Sequence, residues 1–506
     1  MNKIMTFAFI ILQLFVSHTM NSQSTWEFTS RVDSTEVGNG YGLDEAVMNF
    51  HRLENGDLLS MAKRYYLNNP NDTKTVLRLH KGETGEAYKE VVYNLDSVET
   101  LLSWAFYDKE KKIFTLVGSA TYIDIENEYK KGRFLITRWD KDLNLLSDTL
   151  IDFLPSEKKY YPYYFSGNYT SNGDYLVFCR YTEGFEYFGL NEKEIALLIN
   201  KDGKIEKYYI PDDELLNEKH STVFEDKKRD RYVLFGQFET IYLNKDFKET
   251  GRENLYTNNV ECEFLNACNA RMINGDTVLF TADIDDNNKG LAYLSMTDMK
   301  IKKAVVLTTS EFPVYEFFLM NKSMDYIDTS AIYFALQGLD EENPYYTISK
   351  VNSELEPYWI KYFSLNDTLS HFLFSVMATP DGGVVIGGSR WHLTKDAQPL
   401  PGIWSWIKKF DAEGNSLAAF EPVKDAWAIT IYPNPSEGEF KIRVEGEPLQ
   451  DTKVEIFDMH GYRVESINTL HQGENNLELS ELPQGMYLWR ILKKGKVIGT
   501  GKWNKF

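Results

Sequence analysis

The chain predicts an all-β fold, a seven-bladed β-propeller followed by a small C-terminal β-sandwich. Recurrent hairpin turns, small residues held in register with them, and further strands after each hairpin carry that expectation. The hairpin turns come first. Asn55-Gly56-Asp57, Asn172-Gly173-Asp174, Asn274-Gly275-Asp276 and Asp381-Gly382-Gly383 each separate two apolar runs, and such pairs supply the positive φ that tight hairpins require. Charged or polar turns at Glu110-Lys111-Lys112, Lys228-Arg229-Asp230 and Asp328-Thr329 complete a set of seven. They recur roughly every 55 residues, the signature of a repeat architecture.

The second observation is register. Asn49, Ser166, Cys268 and Ser375 stand at one fixed distance before the turn glycine, and Ala62, Cys179, Thr281 and Gly388 at another distance after it. Both columns hold small residues, as expected where inner strands crowd together. The third observation is a strand after each hairpin: around Val76, Phe134, Ala196, Ile241, Ala292, Thr347 and Trp406. Each ends in a polar turn, and an outer strand such as Tyr88 to Tyr93 or Trp359 to Phe363 usually follows. Four antiparallel strands repeated seven times describe a propeller. Two segments compete to complete the last blade, Thr25 to Phe28 and Leu417 to Phe420. The fourth and sixth units are weakly marked, so six and eight blades remain as alternatives.

Both chain ends read as targeting signals. Lys3 precedes an apolar run from Ile4 to Val16, too short to span a bilayer, and a polar stretch to Ser24 follows. This is the layout of a secretory signal peptide, assigned to residues 1–22. No later segment has the length and apolarity of a membrane span, so the mature chain is expected to have none. At the other end stand Ile431-Tyr432-Pro433-Asn434-Pro435-Ser436 with Gly438 and Phe440, an alternating strand running from Val454 to Gly461, and Leu479 to Tyr487 with Leu482, Pro483 and Gly485. In this order these motifs resemble the C-terminal sorting domain of the type IX (Por) secretion system of Bacteroidota. The resemblance implies a partner, the type IX machinery, and a destination, the medium or outer cell surface, reached through the periplasm. The organisation expected is therefore residues 1–22 as signal peptide, 23–424 as propeller and 425–506 as sorting domain.

Composition narrows the function of the body. The 506 residues carry a net charge of -20, which argues against nucleic acid as a partner, because nothing would replace the phosphate counterions. No zinc helix, nucleophile elbow, phosphate loop or dinucleotide fingerprint is present, and His51, His80, His220, His371 and His392 show no metal-ligand spacing. Cys179 and Cys268, in the small-residue columns, read as buried packing thiols. No cofactor is predicted. Asp283, Asp285 and Asn287 alternate as in a calcium loop but lack the sixth-position glycine and the bidentate Glu, so a polar hairpin loop competes with calcium there.

A local function is expected on the face bearing the long loops between second and third strands. Tyr66, Tyr122, Tyr129, Tyr181, Tyr187, Tyr345, Trp391 and His392 combine there with carboxylates and amides, a mixture suited to sugars or peptides. The first reading is a non-catalytic protein that binds a glycan, peptide or protein. The alternatives are an extracellular polysaccharide lyase or hydrolase, and a structural component of the surface layer. The sequence leans away from an enzyme without deciding the matter.

Overall fold

A computed structural model describes residues 25–30, 43–66, 72–124, 129–153, 160–183, 193–211, 220–236, 239–254, 269–285, 288–308, 322–338, 345–364, 369–393, 399–416, 428–432, 436–445, 452–458, 463–468, 473–493 and 496–506. The chain divides into two compact units, residues 1–417 and 418–506.

Among the described residues the first unit contains seven four-stranded antiparallel sheets, which makes it a seven-bladed propeller. Six blades follow chain order and span residues 43–93, 99–151, 160–209, 220–254, 270–306 and 324–364. The seventh takes three strands from residues 369–410 and its outermost strand, Trp26–Thr29, from the other end of the unit. Every expected third strand lies in the third position of its sheet. Three of the four glycine turns take the positive φ expected of them, Gly56, Gly173 and Gly382 at 85°, 82° and 80°, whereas Gly275 does not.

Strand alternation puts one face of each sheet against the preceding blade and the other against the next. The apolar residues accordingly form seven clusters, one at each seam. Trp104, Phe106, Val117 and Phe134 of the second blade meet Phe165, Val177, Cys179 and Tyr181 of the third. Phe224 and Phe235 of the fourth meet Val278 and Phe280 of the fifth. The last seam joins Val47, Phe50 and Ala62 of the first blade to Met377, Val385 and Ile407 of the seventh, with Trp26 of the closing strand in the same cluster.

The two small-residue columns mark places of close approach. Ala62 and Cys179 are fully buried, and a Cβ added at Gly388 would lie 1.7 Å from the Phe372 carbonyl oxygen. Gly388→Ala is therefore expected to cost about 1–3 kcal/mol through overpacking, read as a lower urea midpoint. An unchanged midpoint would refute the close approach. In six blades the innermost strand also carries an irregularity in register, at Val47/Asn49, Leu102/Trp104, Pro162/Tyr164, His220/Thr222, Met272/Asn274 and Leu373/Ser375. Bulges of this kind turn a side chain out of its regular direction. Asn49 uses that freedom to connect three blades: its amide donates to the Ser103 carbonyl at 3.0 Å, and its Oδ1 accepts from Ser375 Oγ at 3.1 Å.

Ring closure has both an apolar and an ionic latch. Trp26–Thr29 pairs antiparallel with the strand ending at Phe410, Trp26 opposite Lys409 and Thr29 opposite Trp406. Glu27 accepts from Arg390 and from the Trp406 indole, each at 3.0 Å, and the Trp26 indole donates to the Gly82 carbonyl of the first blade at 2.9 Å. Just after the strand, Ser30 Oγ donates to Glu45 at 2.8 Å. Glu45 is fully buried and receives Arg78 at 2.5 and 2.9 Å and Arg64 at 2.8 and 3.0 Å. Burial opposes ionisation of Glu45. The charge and hydrogen bonds of Arg78, with Arg64 and Ser405, outweigh burial and hold its pKa at about 2.

The second unit is a β-sandwich of a three-stranded and a four-stranded sheet. Its core brings together Phe440, Ile442, Val454, Ile456, Leu477, Tyr487, Trp489, Ile491 and Trp503. Lys505, in the last strand, donates to the carbonyls of Leu479, Ser480 and Leu482, and the Trp503 indole donates to Ser436 Oγ at 2.9 Å. Backbone bonds from Ser436 to Asn504 and from Phe506 to Ser436 join the start of this unit to its end.

Candidate functional site in the propeller channel

The innermost strands converge on a cavity of about 220 Å³ in the channel, lined by Phe50, His51, Arg52, Trp104, Tyr169, Arg271, Lys322 and Asp325 with Asn49, Ala105, Gly167, Asn168 and Met377. Each lining residue comes from a first strand or from the entry into one, so the site is assembled from six blades. A wider recess of about 690 Å³ adjoins it, lined by the turns between first and second strands: Leu53, Glu54, Lys109, Glu110, Gly173, Ile327 and Pro380 with Tyr107, Asp108 and Lys201. His51, Arg52 and Tyr169 line both spaces and mark the neck between them.

A charged cluster occupies the inner cavity. Asp325 is buried, and its Oδ1 lies 2.9 Å from Arg271 and 3.3 Å from Lys322. Its Oδ2 accepts from the Ala378 N–H at 2.9 Å and lies 3.6 Å from Arg52. The backbone fixes these positions. Lys322 donates its N–H to the Phe374 carbonyl and accepts at its own carbonyl from Val376, a parallel bridge from the sixth blade to the seventh. Arg52 donates to the Ala378 carbonyl at 2.6 Å, and the Arg271 guanidinium lies 5.4 Å from the centre of the Tyr326 ring.

Electrostatics follow from three cations sharing one carboxylate. Burial raises the pKa of Asp325, but Lys322, Arg271 and Arg52 outweigh it and hold the group below the usual carboxylate range. Burial, with repulsion from Arg271 and Arg52, lowers Lys322 to about 8 despite Asp325. Burial and the charges of Lys322 and Arg52 lower His51 to about 3, so its imidazole is neutral at neutral pH. Three cations and an N–H thus hold Asp325 ionised, and the cavity keeps a surplus of positive charge in a chain that is acidic as a whole.

The structure distributes the expected loop-face residues differently. Tyr66, Tyr122, Tyr129, Tyr345, Trp391 and His392 belong to strands at the edges of the loops. Tyr122 is 45% exposed, as a surface residue should be. Tyr181 is a correction: the strand Tyr175–Glu183 carries it in alternation with Val177 and Cys179, which places it in the core between second and third blades at 2% exposure. Tyr187 lies outside the described residues, as do the side chains of Tyr66, Tyr129, Tyr345, Trp391 and His392. So do Asn287 and the side chains of Asp283 and Asp285. In the backbone on either side, Asp285 stands opposite Asn288 in the antiparallel pair. Among the described residues no group of His, Cys, Asp or Glu is placed to hold a metal ion.

The channel cluster was missed by sequence reasoning, although a signal exists. The position four residues ahead of the turn glycine holds Arg52, Tyr169, Arg271 and Ala378 in the four glycine-marked repeats, and all four face or flank this cavity. Cys179, expected as a packing thiol, is fully buried with its pKa raised by burial. Cys268 lies outside the described residues.

Among the sorting-motif residues, Phe440 and Tyr487 are core residues, and the Tyr487 hydroxyl donates to the Pro483 carbonyl at 2.7 Å. Leu482 packs against the same core. Gly438 has φ of 120°, and a Cβ there would lie 2.7 Å from the Ser480 Cα, so the motif glycine serves a close approach. Tyr432 ends a strand, and Gly485 opens another. Pro433, Asn434, Pro435 and Gly461 lie outside the described residues.

Comparison with known proteins agrees with this reading of the second unit. Residues 430–502 match the family described as a secretion system C-terminal sorting domain. The chain is thus an exported β-propeller protein with a type IX sorting tail, directed to the cell surface or the medium. No curated protein matches the sequence. Among solved structures, the chain is similar to BamB from Moraxella catarrhalis, at 8% identity and a TM-score of 0.35, over 76% of this chain and 98% of that one. It is also similar to the Pan2 WD40 domain of Neurospora crassa, at 8% identity and 0.41, over 78% and 97%. A protein of unknown function from Dyadobacter fermentans gives 10% identity and 0.40, over 73% and 95%. Among the described residues no helix is long and apolar enough to cross a membrane.

Proposed function

We propose that the propeller is a non-catalytic binding protein for a glycan, peptide or protein, and that its ligand enters the channel at the first-turn face. The observation that carries this reading is the two-chamber recess, in which aromatic and charged side chains converge from several blades while the buried carboxylate is already paired with cations. A lyase or hydrolase needs a group free to take or give a proton at the reacting atom. Asp325, its pKa lowered by three cations, and His51, its pKa lowered to about 3, are weak bases and poorly suited to that work. The recess suits recognition, where a few placed polar groups orient a ligand against apolar walls. In this proposal residues 1–22 are removed on the way to the periplasm, and residues 425–506 are read by the secretion machinery at the outer membrane.

The test is a panel of immobilised oligosaccharides and peptides probed with the purified chain, the same sugars being followed in parallel for new reducing ends and unsaturated products. Retention of one ligand class without product supports binding. Product formation would replace this reading with the enzymatic one, and retention of nothing would favour a structural spacer.

A further inference from the structure

We infer that the inner channel cavity is a site for an acidic sugar, a residue whose carboxylate meets Arg271, Lys322 and Arg52 while its ring lies against Trp104 and Tyr169. This deepens the binding role proposed above and rests on it. The first argument is charge. Three cations within 3.6 Å of the same carboxylate leave two positive charges unmatched among the described residues. Lys322 is 7% exposed and Asp325 3%, while the Arg52 and Arg271 side chains, 28% and 26% exposed, open onto the cavity, and like charge gathered in a cleft attracts an opposite charge. An anion in the cavity supplies it.

The second argument is geometry. Arg271 uses one Nη for Asp325, and its Nε and second Nη have no partner among the described residues. That edge of the guanidinium remains available for paired donation to a carboxylate, the arrangement that makes Arg–carboxylate recognition strong. The third is the apolar wall. Phe50 and Trp104 line the cavity, and Tyr169, 47% exposed, stands at the neck with its ring edge-on to Phe106 at 5.4 Å. The Tyr169 hydroxyl is occupied by the Tyr107 N–H at 2.8 Å, which holds the ring in place. Phe50 and Trp104, 3% and 8% exposed, offer only their edges, so Tyr169 is the main ring surface; a ring beside a cationic end matches a pyranose carrying a carboxylate better than a free inorganic anion, which has no use for it. A cavity of about 220 Å³ with a wider vestibule further suits one sugar residue inside and the rest of a chain outside.

Titration calorimetry on the full chain decides the matter, with glucuronate and galacturonate as probes and glucose, acetate and inorganic phosphate as comparators. The expected result is binding of a uronate that weakens with added salt, with glucose and acetate at least tenfold weaker. Arg271→Gln should reduce uronate affinity at least tenfold with the melting temperature unchanged, while Arg133→Gln, on the exposed outer part of the second blade, leaves it intact. Equal binding of acetate or phosphate and uronate would overturn the sugar assignment. Failure of both uronates to bind, or their undiminished binding to Arg271→Gln, would overturn the site. The broader binding role would still stand if another ligand of the panel were retained.

Discussion

Glu45→Ala is expected to destabilise the propeller by about 3–5 kcal/mol, the usual consequence of removing one partner from a buried ion pair. The substitution strands the Arg78 guanidinium, 2% exposed, with only Glu90, and removes the acceptor of Ser30 beside the closing strand. Urea unfolding of the variant and parent measures it, and a difference below 1 kcal/mol would show that the network adds little. The same carboxylate makes an acid limb. Its folded pKa of about 2 lies below the ordinary 4.5, so the contribution is complete above pH 4.5 and is lost as pH falls toward 2. The shift corresponds to about 3 kcal/mol. Glu45→Gln should therefore flatten the stability profile between pH 4.5 and 2, and an unaltered acid limb would refute the assignment.

Removing the closing strand should have an effect of similar size. Deletion of residues 1–30 takes away the Trp26 ring from the last seam, the Glu27 bonds to Arg390 and Trp406, and the backbone pairing to residues 406–409. Loss of a buried Trp alone costs about 3–5 kcal/mol. The strand ending at Phe410 would become an unpaired edge, and such edges recruit other chains. The expected outcome, in denaturation and light scattering on protein beginning at residue 31 and compared with protein beginning at residue 23, is a lower unfolding midpoint together with self-association. A monomer of parental stability would show that the ring holds without its latch.

The sequence carried the repeat in its turns, because a glycine with positive φ is a local requirement visible in one strand pair. That is why Gly56, Gly173 and Gly382 marked their blades clearly. The fourth and sixth blades were harder to read because their turns use Asp230 in a left-handed conformation and a bend at Asp328 in place of glycine. The sorting motifs were legible as short strings in a fixed order, and among the described residues some of them serve packing, as Gly438 against Ser480 shows. The channel cluster was not legible. Asp325 and Lys322 meet Arg52 only because the ring brings the sixth blade near the first, and no local pattern announces a contact across so many residues. Tyr181 misled for the opposite reason: its aromatic, loop-adjacent setting looked exposed, but strand alternation continued one step further and buried it.

The order in which the closing latch is made and used differs from its order in space. Trp26–Thr29 is synthesised before any blade, yet its partners at residues 406–409 are among the last of the propeller to be made. While the chain is emerging, the ring has no means of shutting, since six blades and most of the seventh must exist before the first strand finds its place. Contacts between such distant residues form slowly. The ring therefore stays open for nearly the whole of synthesis and becomes a closed body only when residues 406–409 have arrived. In a protein that has to leave the cell, the latch also acts as a clock.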